Sequence, residues 1–491
     1  MYKIKIMRLL TKVAYNTIMQ IISKVITALL GLAVVTIMTR YLGRTGFGQY
    51  TTIITFLSFF GIFSDLGLTL TTAQMISQPG ADQNKILSNL FTLRLVSAVI
   101  FLGLAPLTVL FFPYDYIIKI GVLITSLSFL FASLNQILIG LFQKNLRMDK
   151  VSIAEIANRI FLLTGVAIAI RLDWGLWGIL IMVIISSLIN FLLLYLFSFR
   201  FARIKLDFDR LLWKKILKIS WPLALTIIFN LIYLKADTLF LSLIKTQAEV
   251  GLYGASYRVI DVLIIFPFMF SGLLLPILAG SWAAGKKIDF YNILQKSFDA
   301  MAIVAIPLAV GAQFLASPIM ALVGGQEFAA SGPILQILIL AASIIYLGNI
   351  FSHAIIAVNK QKKIIGAYVF TSVTALAGYI IFIPKFSYFG AAWVTIYSEL
   401  IISLASLFFV WKFTKFLPKI NILLKSFTAS IIMGGGLYGA VLIIGQLNLF
   451  ITLIFGAIIY FTCLYLFGGF KFIACKEIIN SANIKNNKLD S

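Results

Sequence analysis

Residues 13–41 read VAYNTIMQIISKVITALLGLAVVTIMTRY, and this stretch sets the class of the protein. The run from 13 to 37 contains a single charged residue, Lys24. About 20 apolar residues are enough for a helix to cross a bilayer, and the apolar region of a signal peptide is shorter than this run. The run ends in Thr39-Arg40-Tyr41 instead of the small residues of a cleavage site. We therefore expect a first membrane span that is kept in the mature protein.

Apolar runs of similar length fill the rest of the chain. Of its 491 residues, 61% are hydrophobic and 12% are charged, and the longest polar stretch extends only from Arg200 to Lys218. This composition excludes soluble enzymes, disordered proteins and secreted disulfide scaffolds. It predicts an all-α integral membrane protein with fourteen transmembrane helices, at about 13–37, 49–73, 86–111, 117–141, 152–170, 175–198, 216–243, 252–280, 298–322, 334–357, 364–383, 389–411, 425–446 and 448–469.

The excess of basic residues predicts how the spans are oriented. The chain has 40 Lys and Arg against 17 Asp and Glu, a net charge of +23 that in a soluble protein would suggest a nucleic-acid partner. With the N-terminus inside, 29 of the basic residues fall in cytoplasmic segments, 6 in the opposite loops and 5 within spans. Cytoplasmic loops of membrane proteins carry such an excess. We expect a multi-pass protein of the cell (cytoplasmic) membrane, with both termini in the cytoplasm and no nucleic-acid partner.

Three short motifs recur at a nearly constant offset. Gly46-Phe47-Gly48-Gln49-Tyr50 resembles Glu249-Val250-Gly251-Leu252-Tyr253 at an offset of 203. Residues 175–178 recur loosely at 390–393, at an offset of 215, and residues 143–147 match 359–363 at an offset of 216. Six spans per repeat give two halves of the same topology, related by an axis along the membrane normal.

The repeat predicts a division into two six-helix lobes. The final two helices stand outside the repeat. The expected parts are an N-lobe at 1–200 with spans one to six, a cytoplasmic linker at 201–215, a C-lobe at 216–413 with spans seven to twelve, spans thirteen and fourteen at 414–470, and a cytoplasmic tail at 471–491.

Charged residues inside the spans are the main functional signal. A charge at the centre of a span costs about 2.5–3.5 kcal/mol on insertion scales, so each should face a partner or a water-filled cavity. A cavity between the lobes would collect basic groups from both halves, and ammonium and guanidinium groups suit a phosphate or diphosphate ligand. The alternative is that all of these charges pair within the protein, because the numbers are equal. The deep residues are Lys24, Arg94, Arg159, Lys235 and Arg258 on the basic side, and Asp65, Glu155, Asp237, Asp261 and Glu399 on the acidic side.

Two pairs among these residues share a helix face. Glu155 and Arg159, at i and i+4, can neutralise each other. Arg258 and Asp261, at i and i+3, lie in a span with two internal prolines. Proline bends a span and frees backbone carbonyls, so such a span is a suitable wall for a cavity.

Other chemistry is not expected. The chain has one histidine, no P-loop, no glycine-rich nucleotide fingerprint and no paired cysteines. We therefore expect a protein that is not an enzyme and that holds no metal or organic cofactor. Coupling to H⁺ or Na⁺ is the exception, because a carboxylate beside a basic site can change its partner during a transport cycle. The candidates for this role are Asp65, Glu155, Asp237 and Asp261.

One stretch of the sequence resembles a known family. Residues 39–50, TRYLGRTGFGQY, followed by FSDLGL at 63–68, resemble the polysaccharide-flippase branch of the MOP superfamily. The resemblance extends over the whole length, with fourteen spans, a six-plus-six repeat and two added C-terminal helices. It implies a fold similar to that of multidrug and toxin extruders. It also implies that the chain flips undecaprenyl-diphosphate-linked oligosaccharides from the cytoplasmic to the outer leaflet, with membrane lipids and glycan assembly enzymes as further partners.

Two more segments resemble the related murein-lipid flippases. Tyr257-Arg258-Val259-Ile260-Asp261 looks like their eighth-helix segment, whose arginine lines a cationic cavity, and Ser23-Lys24-Val25 resembles their first-helix S-R-V. Leu30 stands near the position of a further first-helix arginine of that family, which favours a more generic sugar lipid as cargo. We expect the diphosphate to meet Lys24, Arg94 and Arg258, with Lys235 and Arg159 as additional substrate-binding candidates.

Three alternatives stay open at this point. The first is a multidrug or cation antiporter of the extruder type, which shares the twelve-helix core but usually has an acidic cavity because its cargo is cationic. The second is a lipid II flippase. The third is a membrane scaffold or a glycan polymerase, which the short external loops disfavour.

Overall fold

The computed structural model is a bundle of α-helices, and it describes residues 2–78, 82–444 and 448–469. Within these residues the chain forms no β-strand, and its two 3-10 turns are short, at Val109–Phe111 and Gln326–Ser331. Numbered along the chain, the helices are α1 (Tyr2–Asp65), α2 (Leu68–Ile76), α3 (Gln83–Thr108), α4 (Tyr116–Lys144), α5 (Met148–Arg171), α6 (Gly175–Ser198), α7 (Arg210–Ile244), α8 (Gln247–Leu263), α9 (Ile265–Ala283), α10 (Lys287–Gly324), α11 (Gly332–Ala357), α12 (Gln361–Thr414), α13 (Asn421–Ile444) and α14 (Leu449–Leu466).

Several spans contain backbone breaks, so helices and membrane spans do not correspond one to one. Helix α1 turns at Gly43, whose φ of 63° and ψ of −173° glycine adopts without strain, and its two parts are the first and second spans. Helix α2 continues the second span beyond Leu66 and Gly67, which both have positive φ. Helices α8 and α9 form the eighth span, on either side of Ile264. Helix α12 turns at Ser387 and contains the eleventh and twelfth spans.

The described residues contain fourteen spans, as the sequence predicts. Eleven helical segments are long and apolar enough to cross a membrane. Two of these segments, Tyr15–Asp65 and Gln361–Thr414, each hold two spans on either side of a break. Helix α7, with 35 residues, supplies the remaining span. The all-α, fourteen-span fold is therefore confirmed.

One cluster of buried apolar residues joins the two halves of the chain, with Phe47 of the first half and Tyr253 of the second among its members. Two further cores lie one in each half. Helices α2 to α6 enclose the first, with Leu68, Leu87, Leu138 and Phe142 among its buried residues. Helices α9 to α12 enclose the second, with Phe290, Leu294, Tyr346 and Phe351 among its buried residues. These cores correspond to the two predicted lobes. The proposed boundaries at 1–200, 201–215, 216–413 and 414–470 stay predictions, and the predicted tail at 471–491 lies outside the described residues.

The last two helices attach to the C-lobe through α10. Ser426 on α13 donates a hydrogen bond to the carbonyl oxygen of Ala302 at 3.2 Å. The hydroxyl of Tyr460 on α14 donates to the carbonyl oxygen of Ile303 at 2.7 Å. Helices α13 and α14 therefore add to the bundle from one side and do not enter the interface between the lobes.

Residues 199–209, which we call the strap, connect α6 to α7. The strap has neither helical nor strand structure from residue 202 to 209. Gln83 Nε2 donates to the carbonyl oxygen of Phe201 at 2.9 Å, and Ala202 and Ile204 are buried in the N-lobe core. The strap is therefore fastened to the N-lobe along most of its length.

The outer surface of the bundle is apolar. Side chains such as Val99, Ile168, Phe370 and Ile380 are more than half exposed. A helix surface that faces hydrocarbon has this composition, because lipid tails offer no hydrogen-bond partners. The chain is a multi-pass membrane protein.

Candidate functional site

The two lobes touch most closely where the second span meets α8. A Cβ atom on Gly48 would lie 1.7 Å from the carbonyl oxygen of Gln247, and one on Gly251 would lie 2.0 Å from the carbonyl oxygen of Arg44. Only glycine allows two backbones to approach this closely. The two halves of this glycine contact are equivalent. Gly48 and Gly251 are 203 residues apart, and so are Arg44 and Gln247. This is the offset of the first repeated motif, which contains both glycines.

Further contacts close the same end of the interface. Thr52 Oγ1 donates to Gln247 Oε1 at 2.7 Å. Arg40 on the first span donates to the carbonyl oxygen of Leu322, at the end of α10, at 2.7 Å. The lobes are therefore joined by backbone and side-chain contacts along this end.

The lobes separate toward the other end of the first and eighth spans. A cavity of about 230 Å³ opens there, which we call the lateral gap. Lys24 is its only charged lining residue, and the rest of the wall is apolar. The gap is lined by Ile21, Lys24, Val25, Ala28 and Leu29 of the first span and by Val262, Ile265, Phe266, Met269, Phe270 and Leu273 of the eighth.

Three charged side chains of the C-lobe gather at a smaller cavity between the lobes. Lys235 Nζ lies 3.3 Å from one carboxylate oxygen of Asp261, and Arg258 lies 3.6 Å from the other. Lys235 also lies over the ring of Tyr257, 4.8 Å from its centre. We call Lys235, Arg258 and Asp261 the cleft cluster. Each is about one-third exposed and lines a cavity of about 90 Å³.

The opposite wall of this cavity belongs to the N-lobe and carries hydroxyl groups. Thr51, Thr55 and Ser58 of the second span line it. The Oγ1 atom of Thr51 is buried and has no hydrogen-bond partner in the described part of the chain. The pattern of charges in the sequence does not indicate these residues, although their spacing of four and three places them on one helix face. That spacing, in a span next to the repeat motif, is the signal that could have identified them.

Two basic residues of the N-lobe complete the interlobe site. Lys24 Nζ lies 2.9 Å from Glu155, and both side chains are partly exposed, at 48% and 23%. Arg159, one turn after Glu155, forms no hydrogen bond or ion pair in the described residues. It interacts electrostatically with Tyr50 and Glu155 of its own lobe and with Arg258 of the other lobe. The expected contact ion pair between Glu155 and Arg159 does not form: Glu155 contacts Lys24 on the first span, and Arg159 interacts with this carboxylate only electrostatically.

The arrangement around the interface is therefore net basic. Four basic groups, Lys24, Arg159, Lys235 and Arg258, share two acidic partners, Glu155 and Asp261. The guanidinium groups of Arg159 and Arg258, on opposite sides of the interface, repel each other, and an anion bound between them would remove this repulsion. An oxyanion with several oxygens, such as a phosphate, matches this set of donors.

Arg94 and Asp65 lie elsewhere, inside the N-lobe. Their side chains are only 4% and 10% exposed and form an ion pair. Arg94 Nε also donates to the carbonyl oxygen of Ser133 at 3.1 Å, and Thr69 donates to Asp65. Asp65 directly precedes the break in the second span, so this pair stabilises the bend. The structure does not bring Arg94 to the interlobe site, because its guanidinium is occupied within the lobe.

Asp237 and Glu399 are buried inside the C-lobe. The hydroxyl of Tyr253 donates to Asp237 at 2.7 Å, and the backbone N–H of Thr238 donates to it at 2.5 Å. Asp237 is fully buried and does not reach the cleft. Among the described residues, no group of three or more His, Cys, Asp or Glu side chains could hold a metal ion.

The sequence matches a family model over more than half of its length. The family described as "Polysaccharide biosynthesis protein" matches residues 13–282, from the first span through the eighth. The chain belongs to this family. The matched region contains the glycine contact, the lateral gap, the cleft cluster and both basic residues of the N-lobe.

Two relatives of the polysaccharide biosynthesis family carry names that describe their roles. The probable low-salt glycan biosynthesis flippase Agl15 of Haloferax volcanii is 23% identical over 246 residues, which are 50% of this chain and 52% of that protein. The capsular polysaccharide biosynthesis protein CapF of Staphylococcus aureus is 23% identical over 294 residues, which are 59% of this chain and 74% of that protein. The match thus spans about half the length of the archaeal relative.

Solved structures of similar fold belong to two kinds of transporter. The lipid II flippase MurJ in an inward closed conformation has a TM-score of 0.76 at 18% identity, covering 92% of this chain and 98% of that one. An inward-facing multidrug resistance MATE family transporter of the MOP superfamily has a TM-score of 0.65 at 14% identity, covering 79% and 94%. These similarities confirm the predicted fold of this polysaccharide biosynthesis family member, which is the fold of MurJ and of the MATE transporter.

Proposed function

We propose that this protein is a flippase for lipid-linked oligosaccharides and moves them across the cell membrane by alternating access. The observation that carries the proposal is the net basic site between two lobes that are joined at one end and separated at the other. A sugar lipid has an anionic diphosphate next to an apolar tail. The site offers basic groups next to an apolar gap, so its chemistry matches both parts of such a molecule.

The diphosphate binds between Lys24 and Arg159 of the N-lobe and Lys235 and Arg258 of the C-lobe. Guanidinium groups offer bidentate donors to phosphate oxygens, and ammonium groups act as point charges. On binding, Arg258 exchanges its 3.6 Å contact with Asp261 for a phosphate oxygen. The hydroxyl of Thr51, which has no partner in the described structure, becomes an additional donor.

The lipid tail remains in the bilayer and passes through the lateral gap. The gap lies between the first and eighth spans and is apolar apart from Lys24. Lys24 is therefore placed at the boundary between tail and head group. Its contact with Glu155 at 2.9 Å holds the ammonium in position until the substrate replaces the carboxylate.

The orientation follows from the distribution of basic residues. Because 29 of the 40 basic residues fall on one side, that side is cytoplasmic, with both termini there. The glycine contact then closes the outer end of the interface and the lateral gap opens at the inner part. Transport consists of rocking the two lobes so that the outer contact separates and the inner one forms, as in transporters built from parallel repeats.

Coupling to H⁺ or Na⁺ involves the acids that face the site. Glu155 and Asp261 each lose a basic partner when the diphosphate binds, so each becomes free to bind a cation. Asp237, inside the C-lobe, is a second location for coupling. Asp65 is less suited to this role because Arg94 neutralises it within the N-lobe.

The sign of the charge separates this function from its alternatives. A multidrug or cation antiporter of the same fold would need an excess of acids at the site, whereas here basic residues exceed acids by four to two. Moving a lipid between leaflets breaks no covalent bond, so the proposed function needs no catalytic residue. Enzymes of glycan assembly supply the lipid-linked sugar on one side of the membrane and use it on the other. The sugar lipid need not be the peptidoglycan precursor.

Flipping of a fluorescent undecaprenyl-diphosphate sugar by the reconstituted full chain tests this function. Lys24→Ala and Arg258→Ala should each lower the initial rate by at least about tenfold, the equivalent of about 1.4 kcal/mol. Lys286→Ala, which removes an exposed lysine that lines neither cavity, should leave the rate unchanged. Normal flipping by both site variants, or transport of a cationic dye instead of the sugar lipid, would contradict the proposal.

A further inference from the structure

The strap forms more hydrogen bonds with the N-lobe than a simple connection between two lobes requires. Four of its backbone N–H groups donate to side chains of α3, at distances between 2.7 and 3.1 Å. The four donors are every second residue of the strap, so they lie on one edge of it. All four form their hydrogen bonds with the same helix, α3. The pairs are 203 with Asn84, 205 with Ser88, 207 with Thr92 and 209 with Asn89.

The acidic residues of this segment are turned toward the protein. Asp207 accepts a hydrogen bond from Asn89 Nδ2 at 2.8 Å. Asp209 lies 2.8 Å from Lys85 Nζ and caps α7 by accepting from the backbone N–H groups of Leu211 and Leu212. The contact with Lys85 and the backbone hydrogen bonds lower the pKa of Asp209, so this carboxyl group is charged and engaged.

The basic residues of the strap and of the first turns of α7, at 199–218, are turned outward. All seven are exposed, and none forms an ion pair within the described residues. With both acids engaged by α3 and α7, the outer face carries a strong positive charge. These residues are Arg200, Arg203, Lys205, Arg210, Lys214, Lys215 and Lys218.

Large apolar side chains lie among these charges. Leu206, Phe208 and Leu211 are 69%, 65% and 81% exposed. The strap covers α3 as far as Thr92, and the next turns of α3 present Val96 and Val99 to the outside. The exposed apolar residues of the strap and of the start of α7 therefore lie where the lipid-facing surface of the bundle begins.

We propose that residues 199–218, the strap surface, bind anionic phospholipids of the leaflet that faces them. Apolar side chains enter the boundary between head groups and acyl chains, and the surrounding lysines and arginines contact anionic head groups. A soluble protein partner fits this surface less well, because Leu206 and Phe208 lie level with the lipid-facing side chains of α3. The binding is independent of the substrate site, since no strap residue lines either cavity described above.

Quenching by brominated lipids tests this proposal on the full chain. A bimane label is placed at Leu206→Cys in a chain whose Cys463 and Cys475 are replaced by serine. The chain is reconstituted in phosphatidylcholine vesicles with a minority of phosphatidylglycerol, and an equal amount of bromine is carried by either lipid. Because the head-group composition is identical in the two preparations, any difference in quenching reports enrichment of one lipid at the strap.

Brominated phosphatidylglycerol should quench the label at least about twofold more strongly than brominated phosphatidylcholine. This preference should disappear near 1 M salt, where the Debye length falls from about 10 Å to about 3 Å. The triple variant Arg203→Gln, Lys205→Gln, Arg210→Gln should lose it as well. The triple variant Lys286→Gln, Lys287→Gln, Lys362→Gln removes the same charge from exposed positions elsewhere and should keep the preference.

Three results would overturn the proposal. Equal quenching by the two brominated lipids would mean that the strap surface contacts lipid without selecting charge. Quenching by neither would mean that it faces water or protein. A preference that survives in the strap variant would place the anionic lipid elsewhere. None of these outcomes depends on whether the protein flips a sugar lipid, so the two proposals fail separately.

Discussion

The second and eighth spans each carry an aspartate near a break in the helix, but the two aspartates have different surroundings. Asp65 pairs with Arg94 inside the N-lobe, and both side chains are almost fully buried. Asp261 is shared by Lys235 and Arg258 at longer distances, and all three are about one-third exposed at a cavity. In the first case the guanidinium is occupied by carboxylate and carbonyl oxygens of its own lobe. In the second case donors remain for a ligand. The difference separates a charge that stabilises the fold from a charge that is ready to bind.

The largest effect expected from this difference is on stability. Arg94→Ala leaves Asp65 buried without a basic partner, which should destabilise the protein by about 3–5 kcal/mol. Arg258→Ala removes a partly exposed group whose acid retains Lys235, so thermal unfolding in detergent should change little. Thermal unfolding of the two purified variants, measured side by side, checks this. Equal stability of the two variants would remove the distinction between the clusters.

A smaller effect is expected at Arg159, the basic group of the site that forms no ion pair in the described residues. Arg159→Ala leaves no buried carboxylate behind and reduces the repulsion with Arg258, so the folded protein should be as stable as the parent. Flipping should fall by about tenfold, or about 1.4 kcal/mol, because one bidentate phosphate donor is lost. Arg159→Lys should recover only part of the rate, since an ammonium cannot form the bidentate contact. Full activity of Arg159→Ala would exclude it from the binding site.

The smallest effect is expected when the acids of the site are neutralised. Glu155→Gln and Asp261→Asn free Lys24 and the cleft cluster from their internal partners, so the apparent affinity for the diphosphate substrate should rise severalfold, by about 1 kcal/mol or less. The matched change in the N-lobe, Asp65→Asn, should lower thermal stability and leave substrate affinity unchanged. Substrate titrations of the flipping rate give the affinities. A weaker affinity in Glu155→Gln would show that the carboxylate positions Lys24 and does not compete with the substrate.

The fold could be predicted almost completely from the sequence, because each span is determined by local composition. A run of about 20 apolar residues has no stable alternative to a membrane helix. The breaks at Gly43 and at Leu66-Gly67 also lie within motifs that the sequence shows. The break at Ser387 is less visible, since serine rarely adopts positive φ and only its tertiary contact with Glu249 marks the position.

The site could be predicted only in part, because pairing within a membrane is decided by contacts between distant helices. The spacing of Glu155 and Arg159 suggested a local pair, but the carboxylate reaches Lys24, 131 residues away. Arg94 could not be assigned to the lobe interior or to the cleft from composition, since every basic residue had an acid available. The hydroxyl residues of the second span, Thr51, Thr55 and Ser58, are uncharged, so the pattern of charges within the spans gives no indication of them.

The glycine contact has the geometry of an isologous interface, in which one surface meets a copy of itself across a two-fold axis. Gly48 meets Gln247 and Gly251 meets Arg44, so each half presents the same residue positions to the other. A homodimer of six-helix chains would form this seam from two identical surfaces, and a side chain at the glycine position would collide on both sides at once. Joined in one polypeptide, the two surfaces remain self-complementary. Two halves produced as separate polypeptides therefore share a seam along which they can reassemble.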